Sequence, residues 1–361
     1  MPPINLQHVT SQPLNILVFG AGAIGTYIGG SLALTGHRVV FVEQSKVVEE
    51  LHRRGLRLDL TIDERRKTDE AFVVRPSSFV CVSSLSDALT HGPFDVAIFA
   101  LKSFDTAAAL EEIKPYAAQM PPILCLQNSV DNEPAIAAVL GTGKVIYGTV
   151  TSSIGRLAAG DIVLERLRGV GVAAGHSLLG VLVAALDEAG LNARLYPNAA
   201  DMKWSKMMTN LIANATAAIL DMTPAEVFAH PGLYALEMAM LREALAVMKA
   251  QGIKAVDLPG TPVRALALAT HLPDFLSRPL MARAVGRGRG GKMPSFHIDL
   301  HAGRGKSEAD WLNGAVVRYG EKCRVPTPIN RLLNETLLAL TRGETQLNEY
   351  SRRPQKLLAK I

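Results

Sequence analysis

Cysteine is scarce in this chain and aromatic residues are few, with three cysteines (Cys81, Cys125 and Cys323) and an aromatic fraction of 5% in 361 residues. An odd number of widely spaced cysteines with no CxxC pair excludes a disulfide scaffold and predicts the reduced thiols of a cytoplasmic protein. Aromatics this sparse, none interleaved among basic residues, argue against binding of single-stranded nucleic acid, where bases stack on rings. Long hydrophobic runs are missing too. The apolar stretch from Ser177 to Leu186 stops well short of the roughly 18 residues that would span a bilayer, so no transmembrane helix is expected. The opening MPPINLQHVTSQPLN has neither a basic start nor an apolar core and reads as a flexible leader over residues 1–13, not a signal peptide.

What is present is ordinary globular material. Hydrophobic residues make up 48% and charged ones 20%, enough for a sizeable core, which excludes disorder and fibrous repeats. Lys and Arg number 38 against 33 Asp and Glu, a formal net charge of +5 that suits anionic small molecules or nucleic acid and does not choose between them. From Leu14 to Pro197, short β-branched runs alternate with amphipathic stretches, the pattern of a doubly wound, mostly parallel sheet. Strands are expected at Asn15–Phe19, Arg38–Val42, Asp95–Ala100, Ile123–Gln127, Lys144–Val150 and Asn192–Tyr196. GLRLDL and EAFVVRP read as an antiparallel digression joined by DERRKTD. Beyond Pro197, Ala, Leu, Met and Lys recur at helical spacing, predicting helices over Ala199–Leu220, Pro231–Gln251 and Pro328–Thr341, the last ended by Gly343. The fold class is therefore α/β, with a Rossmann-type domain over 14–197, an all-α domain over 198–345 and a mobile basic tail over 346–361.

The sharpest local motif is Gly20-Ala21-Gly22-Ala23-Ile24-Gly25, which leaves a predicted strand and opens a predicted helix. In that setting the first glycine allows the tight turn, the second lets backbone approach a pyrophosphate, and the third lets helix and strand pack closely. The helix start then offers N–H groups to the anion. The second strand ends in FVEQSK. Glu43 would accept hydrogen bonds from a ribose 2′-OH and repel a 2′-phosphate, so with Gln44 it favours NAD(H), although Lys46 partly offsets the charge.

Lys206, Asn210 and Asn214 stand at i, i+4 and i+8, one face of a continuous helix. Their neighbours Met207, Met208, Leu211, Ile212 and Ala213 are too apolar for a solvated stripe, so the lysine and the two amides imply a polar cleft. Lys203 shares much of that face, and spacing alone does not choose between the two lysines.

The blocks GAGAIG, Ala100-Leu-Lys102, Leu126-Gln-Asn128, WSKMMTNLIAN at Trp204–Asn214, and SFHIDLHAGRGKSE at Ser295–Glu308 followed by LNG occur in order along nearly the whole chain. Together they resemble the ketopantoate reductases (2-dehydropantoate 2-reductases). The resemblance implies an NADP(H)-binding Rossmann domain, a helical substrate domain and reduction of 2-dehydropantoate to (R)-pantoate for pantothenate and coenzyme A synthesis. It assigns the catalytic role to Lys206, with Glu308 supporting the lysine or the substrate. Asn210, Asn214 and Ser295 would hold the substrate, and Lys102 and Asn128 would line the nicotinamide end. The residue types suit the chemistry, since hydride addition to a ketone builds charge on oxygen that an ammonium can stabilise and protonate. No metal is needed, nor a nucleophilic cysteine.

Departures from the family pattern are Ser129 after Asn128 where glycine is usual, Gln44 where arginine is usual, an extra residue between Asp299 and Glu308, and the basic segment Arg283–Lys292. They would fit a relative that uses NAD(H) on another 2-oxo acid, such as a D-2-hydroxyacid dehydrogenase. A non-catalytic dinucleotide sensor would have no need of the lysine, asparagines, serine and glutamate. The run Arg283, Arg287, Arg289 and Lys292 among glycines reads as a mobile loop that steers anions or merely stays solvated, with no nucleic-acid partner expected. His297, Asp299 and His301 form HxDxH, but with no third histidine or cysteine nearby in sequence a metal is not expected. The expected partner is a small 2-oxo acid, without a membrane, and a homodimer is the usual state of a soluble enzyme.

Overall fold

The computed structural model describes residues 12–63, 71–289 and 292–361. Its strands are, in chain order, β1 (Asn15–Phe19), β2 (Arg38–Val42), β3 (Leu56–Asp59), β4 (Phe72–Val74), β5 (Val80–Val82), β6 (Val96–Phe99), β7 (Ile123–Cys125), β8 (Val145–Val150), β9 (Ser153–Ala158), β10 (Asp161–Arg166), β11 (Val170–Ala173) and β12 (Ala193–Tyr196). Backbone contacts divide the chain into two units. One comprises the chain up to Gln127, Asn132–Lys203 and Leu258–Thr261; the other comprises Asn128–Asp131, Trp204–Asp257 and Pro262–Ile361.

The first unit is built on an eight-stranded sheet in the order β12-β11-β8-β7-β6-β1-β2-β5. Every neighbouring pair is parallel except β8 with β11. Residues of β1 alternate between two apolar cores: Ile16 and Val18 enter one, Leu17 and Phe19 the other. A strand covered on both faces needs apolar side chains at successive positions, which is why β6 and β7, and β1 after Asn15, are continuously apolar. The chain runs outward from β1 through β2 to β5 and then returns to β6 on the other side. That reversal puts the switch point of the sheet at the carboxyl end of β1, where the glycine loop lies.

All six expected strands are present, with ends moved by one or two residues. β3 and β4 pair antiparallel as expected; the joining residues 64–70 lie outside the described residues. The sequence reading missed β5 and β9 to β11. Of these, β9 and β10 join β3 and β4 in a second sheet, ordered β4-β3-β10-β9. Ile162 and Leu164 on β10 are buried in the core, but the partly exposed residue between them is Val163, so burial alternates where the sequence shows only a short apolar run.

The second unit is helical. Three expectations need correction there. The helix expected over 199–220 is two helices, Ala199–Leu211 and Asn214–Leu220, with Ala213 between them in the left-handed region at φ 49°. A distant side chain causes the break. Ala213 N–H donates to Glu237 Oε2 at 2.7 Å, and the Thr216 hydroxyl donates to Glu237 Oε1 at 2.5 Å. Glu237 comes from the helix Pro231–Ala250 and is completely buried. The segment read as a Gly/Arg-rich loop is helical as far as Arg289, within the helix Asp274–Arg289. The tail read as mobile contains the helix Pro354–Leu358, which contacts Pro231–Ala250 and buries Leu357. Arg352 ties it down, its N–H donating to Leu220 O at 2.8 Å and its guanidinium pairing with Glu226.

Glu237→Ala would leave a buried N–H and a buried hydroxyl without their acceptor, at a cost of about 2–4 kcal/mol. Chemical denaturation should show a midpoint lowered accordingly; an unchanged midpoint would mean that Glu237 does not hold the break.

Candidate active site

Gly20 follows β1 at φ 93°, a conformation in which an L side chain is strained, and its N–H donates to Val42 O at 3.0 Å. A Cβ on Gly25 would lie 1.8 Å from Gly20 O, whereas a Cβ on Gly22 would meet no atom within 4 Å. The third glycine is therefore demanded by packing, and the second faces open space of the kind a pyrophosphate requires. Gly22 caps the helix Ala23–Leu34 without a side-chain hydrogen bond, so its leading N–H groups are presented as in anion-binding helix starts. Ala21 and Ile24 join the surrounding core.

Glu43, at the end of β2, is fastened to this loop. Ala21 N–H donates to its Oε1 at 2.7 Å and Gln44 N–H to its Oε2 at 2.9 Å. A negative charge thus stands beside the glycine loop, with Gln44 exposed next to it as the cap of the helix Ser45–Arg54. Lys102 is half-buried just beyond β6, its carbonyl accepting from Gln127 Nε2 at 3.4 Å and Asp105 N–H at 2.9 Å.

Of the two lysines, Lys203 belongs to the first unit and Lys206 to the second. Lys203 is 3% exposed, and its Nζ lies 2.7 Å from Oε1 of the fully buried Glu133. The same ammonium donates to Gln127 O at 2.7 Å and Gly148 O at 3.2 Å. Burial pulls its pKa down, but Glu133, with Cys125 and Tyr147 adding to it, holds it above the ordinary lysine value. Lys203 is a structural cation. Lys206 is half-buried on the helix Ala199–Leu211, one turn before Asn210.

The second unit brings four expected residues together. Asn210 Nδ2 donates to Asn128 Oδ1 at 3.0 Å; Asn214 Nδ2 donates to Asn210 O at 3.1 Å and to Ser295 Oγ at 3.4 Å. Asn214 Oδ1 accepts from Phe296 N–H at 3.1 Å, so the same amide caps the helix Ser295–His301. Asn214 shares no continuous helix face with Asn210 and Lys206; it begins the next helix and reaches back across the break. Ser295 is exposed, while Glu308 is buried at the head of the helix Ala309–Cys323, its carbonyl accepting from Trp311 and Leu312. The glycine loop, Glu43, Gln44 and Lys102 belong to the other unit.

Sequence reasoning missed the Lys203–Glu133 pair and Arg318, which donates to Asp131 Oδ2 at 2.6 Å and also pairs with Asp310. Neither partner could be found from local spacing. Ser129 does sit at positive φ, 90°, with its Oγ accepting from Asp131 N–H at 3.2 Å. Cys81 and Cys125 are poor nucleophiles: burial, with Glu43 adding to it, pushes the Cys81 thiol up to about 12, and burial also raises Cys125.

A dinucleotide-binding sheet followed by a helical unit with a polar asparagine–serine cluster defines an NAD(P)-dependent oxidoreductase of Rossmann type. The family described as Ketopantoate reductase PanE/ApbA matches residues 16–174, and its C-terminal counterpart matches residues 198–341. The chain belongs to this family, whose members are NAD(P)H-dependent reductases of 2-oxo acids. A 2-dehydropantoate 2-reductase from Archaeoglobus fulgidus is 26% identical over 333 residues, covering 91% of this chain and 97% of the relative. A PanE/ApbA family ketopantoate reductase from Ralstonia eutropha JMP134 superposes with a TM-score of 0.73 at 26% identity, covering 92% and 99% of the two chains. D-mandelate dehydrogenase, solved with NADH and anilino(oxo)acetate, has the same fold, with a TM-score of 0.73 at 21% identity over 93% and 100% of the two chains. Among the described residues no helix is long and apolar enough to cross a membrane.

Ser129→Gly removes a strained non-glycine conformation and should raise stability by about 1 kcal/mol, read as a higher melting temperature. Gly25→Ala should abolish dinucleotide binding in a fluorescence titration. Retained affinity would show that the loop can open by the distance the clash demands.

Proposed function

We propose that this protein reduces 2-dehydropantoate to (R)-pantoate, with Lys206 as the proton donor. The observation that carries the reading is the hydrogen-bonded set Asn128, Asn210, Asn214 and Ser295, standing one helical turn from a lysine distinct from the structural Lys203. Glycine packing and an uncapped helix start suit a dinucleotide pyrophosphate, held by residues 20–25. Lys102 and Asn128 would line the nicotinamide end. The reduced nicotinamide supplies the hydride that attacks the keto carbon.

Negative charge then gathers on the carbonyl oxygen as its π bond breaks. The Lys206 ammonium stabilises that charge and gives up the proton that completes the hydroxyl. Asn210 and Asn214 donate to substrate oxygens, Ser295 binds the carboxylate, and Glu308 supports Lys206 or the substrate in its orientation. Family kinship alone favours NADP(H). The carboxylate of Glu43, held against Ala21 N–H, supports NAD(H) instead, because it would accept from ribose hydroxyls and repel a 2′-phosphate. The same observation supports the second reading, an NAD-dependent D-2-hydroxyacid dehydrogenase acting on another 2-oxo acid.

Lys206→Ala should lower kcat by about 10²–10⁴ with little change in NADH affinity, as loss of a general acid does. Lys203→Met, by contrast, should unfold at lower denaturant, since it strands the buried Glu133 at a cost of about 3–5 kcal/mol. Near-normal kcat in Lys206→Ala would remove the lysine from the mechanism. Glu43→Ala should cut the NADH-to-NADPH ratio of kcat/KM about tenfold or more, matching loss of a charge-assisted hydrogen bond. An unchanged ratio would mean that Glu43 does not read the ribose.

A further inference from the structure

Away from the residues assigned to hydride and proton transfer, the second unit gathers a donor set that the sequence does not reveal. In the HxDxH stretch, Asp299 is buried and accepts from Arg304 at 3.0 Å. Its place beside the two histidines is taken by Asp221, which lies 76 residues earlier and ends the helix Asn214–Leu220 at φ 50°. His297 Nε2 lies 2.8 Å from Asp221 Oδ1, and the rings of His297 and His301 stack at 4.0 Å. One ligand atom from each of Asp221, His297 and His301 falls within 4.8 Å of the others. In a tetrahedral zinc site the donor atoms stand about 3.3 Å apart, so modest side-chain rotations would bring all three to bonding distance of one point. Two histidines at i, i+4 project from one face of a helix, the spacing that metal sites use repeatedly.

We propose that Asp221, His297 and His301 bind one divalent transition-metal ion of the zinc class. Two imidazoles and a carboxylate make a borderline donor set, poorly matched to magnesium or calcium, which take oxygen ligands. The fourth position opens on a cavity of about 220 Å³ bordered by Ile219, Leu347, Asn348 and Ser351, with room for water or a small anion. Ser351 Oγ donates to Asp221 Oδ2 at 3.4 Å, an outer contact that would orient the carboxylate on the ion. Binding would replace the His297–Asp221 hydrogen bond with two metal bonds. It would also join the end of the helix Asn214–Leu220, the helix that Ser295 begins and the C-terminal segment. The proposal does not rest on the reductase reading, since none of the three ligands is assigned to the reaction.

The test uses the full-length, tag-free protein, stripped with chelator and titrated with Co²⁺ and then Zn²⁺. One equivalent of Co²⁺ should bind with the intense visible d–d bands of a four- or five-coordinate ion, Zn²⁺ should displace it, and the melting temperature should rise on loading. His301 is exposed, so His301→Ala should keep the fold while weakening Co²⁺ binding by at least about tenfold, and Asp221→Asn should weaken it similarly. Absence of saturable binding in the wild-type protein would overturn the proposal. So would Co²⁺ spectra and affinity unchanged in both His301→Ala and His297→Ala.

Discussion

The arrangement of the polar cluster in the second unit depends on one backbone residue held in an unfavourable conformation. Ala213 sits at positive φ because the buried carboxylate of Glu237 takes its N–H out of the helical ladder and takes the Thr216 hydroxyl as well. A left-handed alanine costs about 1–2 kcal/mol, which a charge-assisted hydrogen bond in a dry interior can offset. What the break achieves is positional. A straight helix would carry Asn214 on past Asn210 at the next turn. The break instead lets the Asn214 amide turn back to Asn210 O, meet Ser295 Oγ and cap the helix on which Ser295 stands. Two segments 81 residues apart in sequence are thereby fixed to one another through a single side chain.

A second division of labour separates two lysines three residues apart. Lys203 is fully desolvated and compensated by Glu133 and two carbonyl oxygens, the full set of acceptors that a buried ammonium needs. Such a cation is held above its ordinary pKa and is a poor proton donor. Lys206 is half-buried and belongs to the other unit. If Lys206 is the proton donor, as proposed, an acid catalyst and a buried ion pair place opposite demands on two lysines of one helix.

Much of the first unit was legible because its strands are buried on both faces and announce themselves as apolar runs, as β1 and β6 do. The glycine loop was equally plain, since Gly20 and Gly25 answer to local geometry. β9 and β10 escaped notice because β9 buries little and the three apolar residues of β10, Ile162 to Leu164, show no alternation, and β5 because it is three residues long. In the candidate site Asn210, Asn214 and Ser295 stood out in the sequence and the fold brings them together, but their arrangement was not legible. The helical period put Asn214 on the face of Asn210, and only Glu237, 24 residues downstream, reveals otherwise. The choice between Lys203 and Lys206 likewise turned on Glu133, which no spacing rule links to either. Apolar anchors in a basic tail were overlooked for a related reason: the short Leu357-Leu358 pair sits in a run rich in Lys and Arg, and the burial of Leu357 against the helix Pro231–Ala250 is a long-range fact.

The proposed reduction of a 2-oxo acid, with a nicotinamide cofactor read by Glu43, is tested most directly by following nicotinamide oxidation against a panel of 2-oxo acids that includes 2-dehydropantoate, with NADH and NADPH in separate reactions. The highest kcat/KM is expected for 2-dehydropantoate, with NADH preferred. No oxidation of either cofactor with any 2-oxo acid would contradict the proposal.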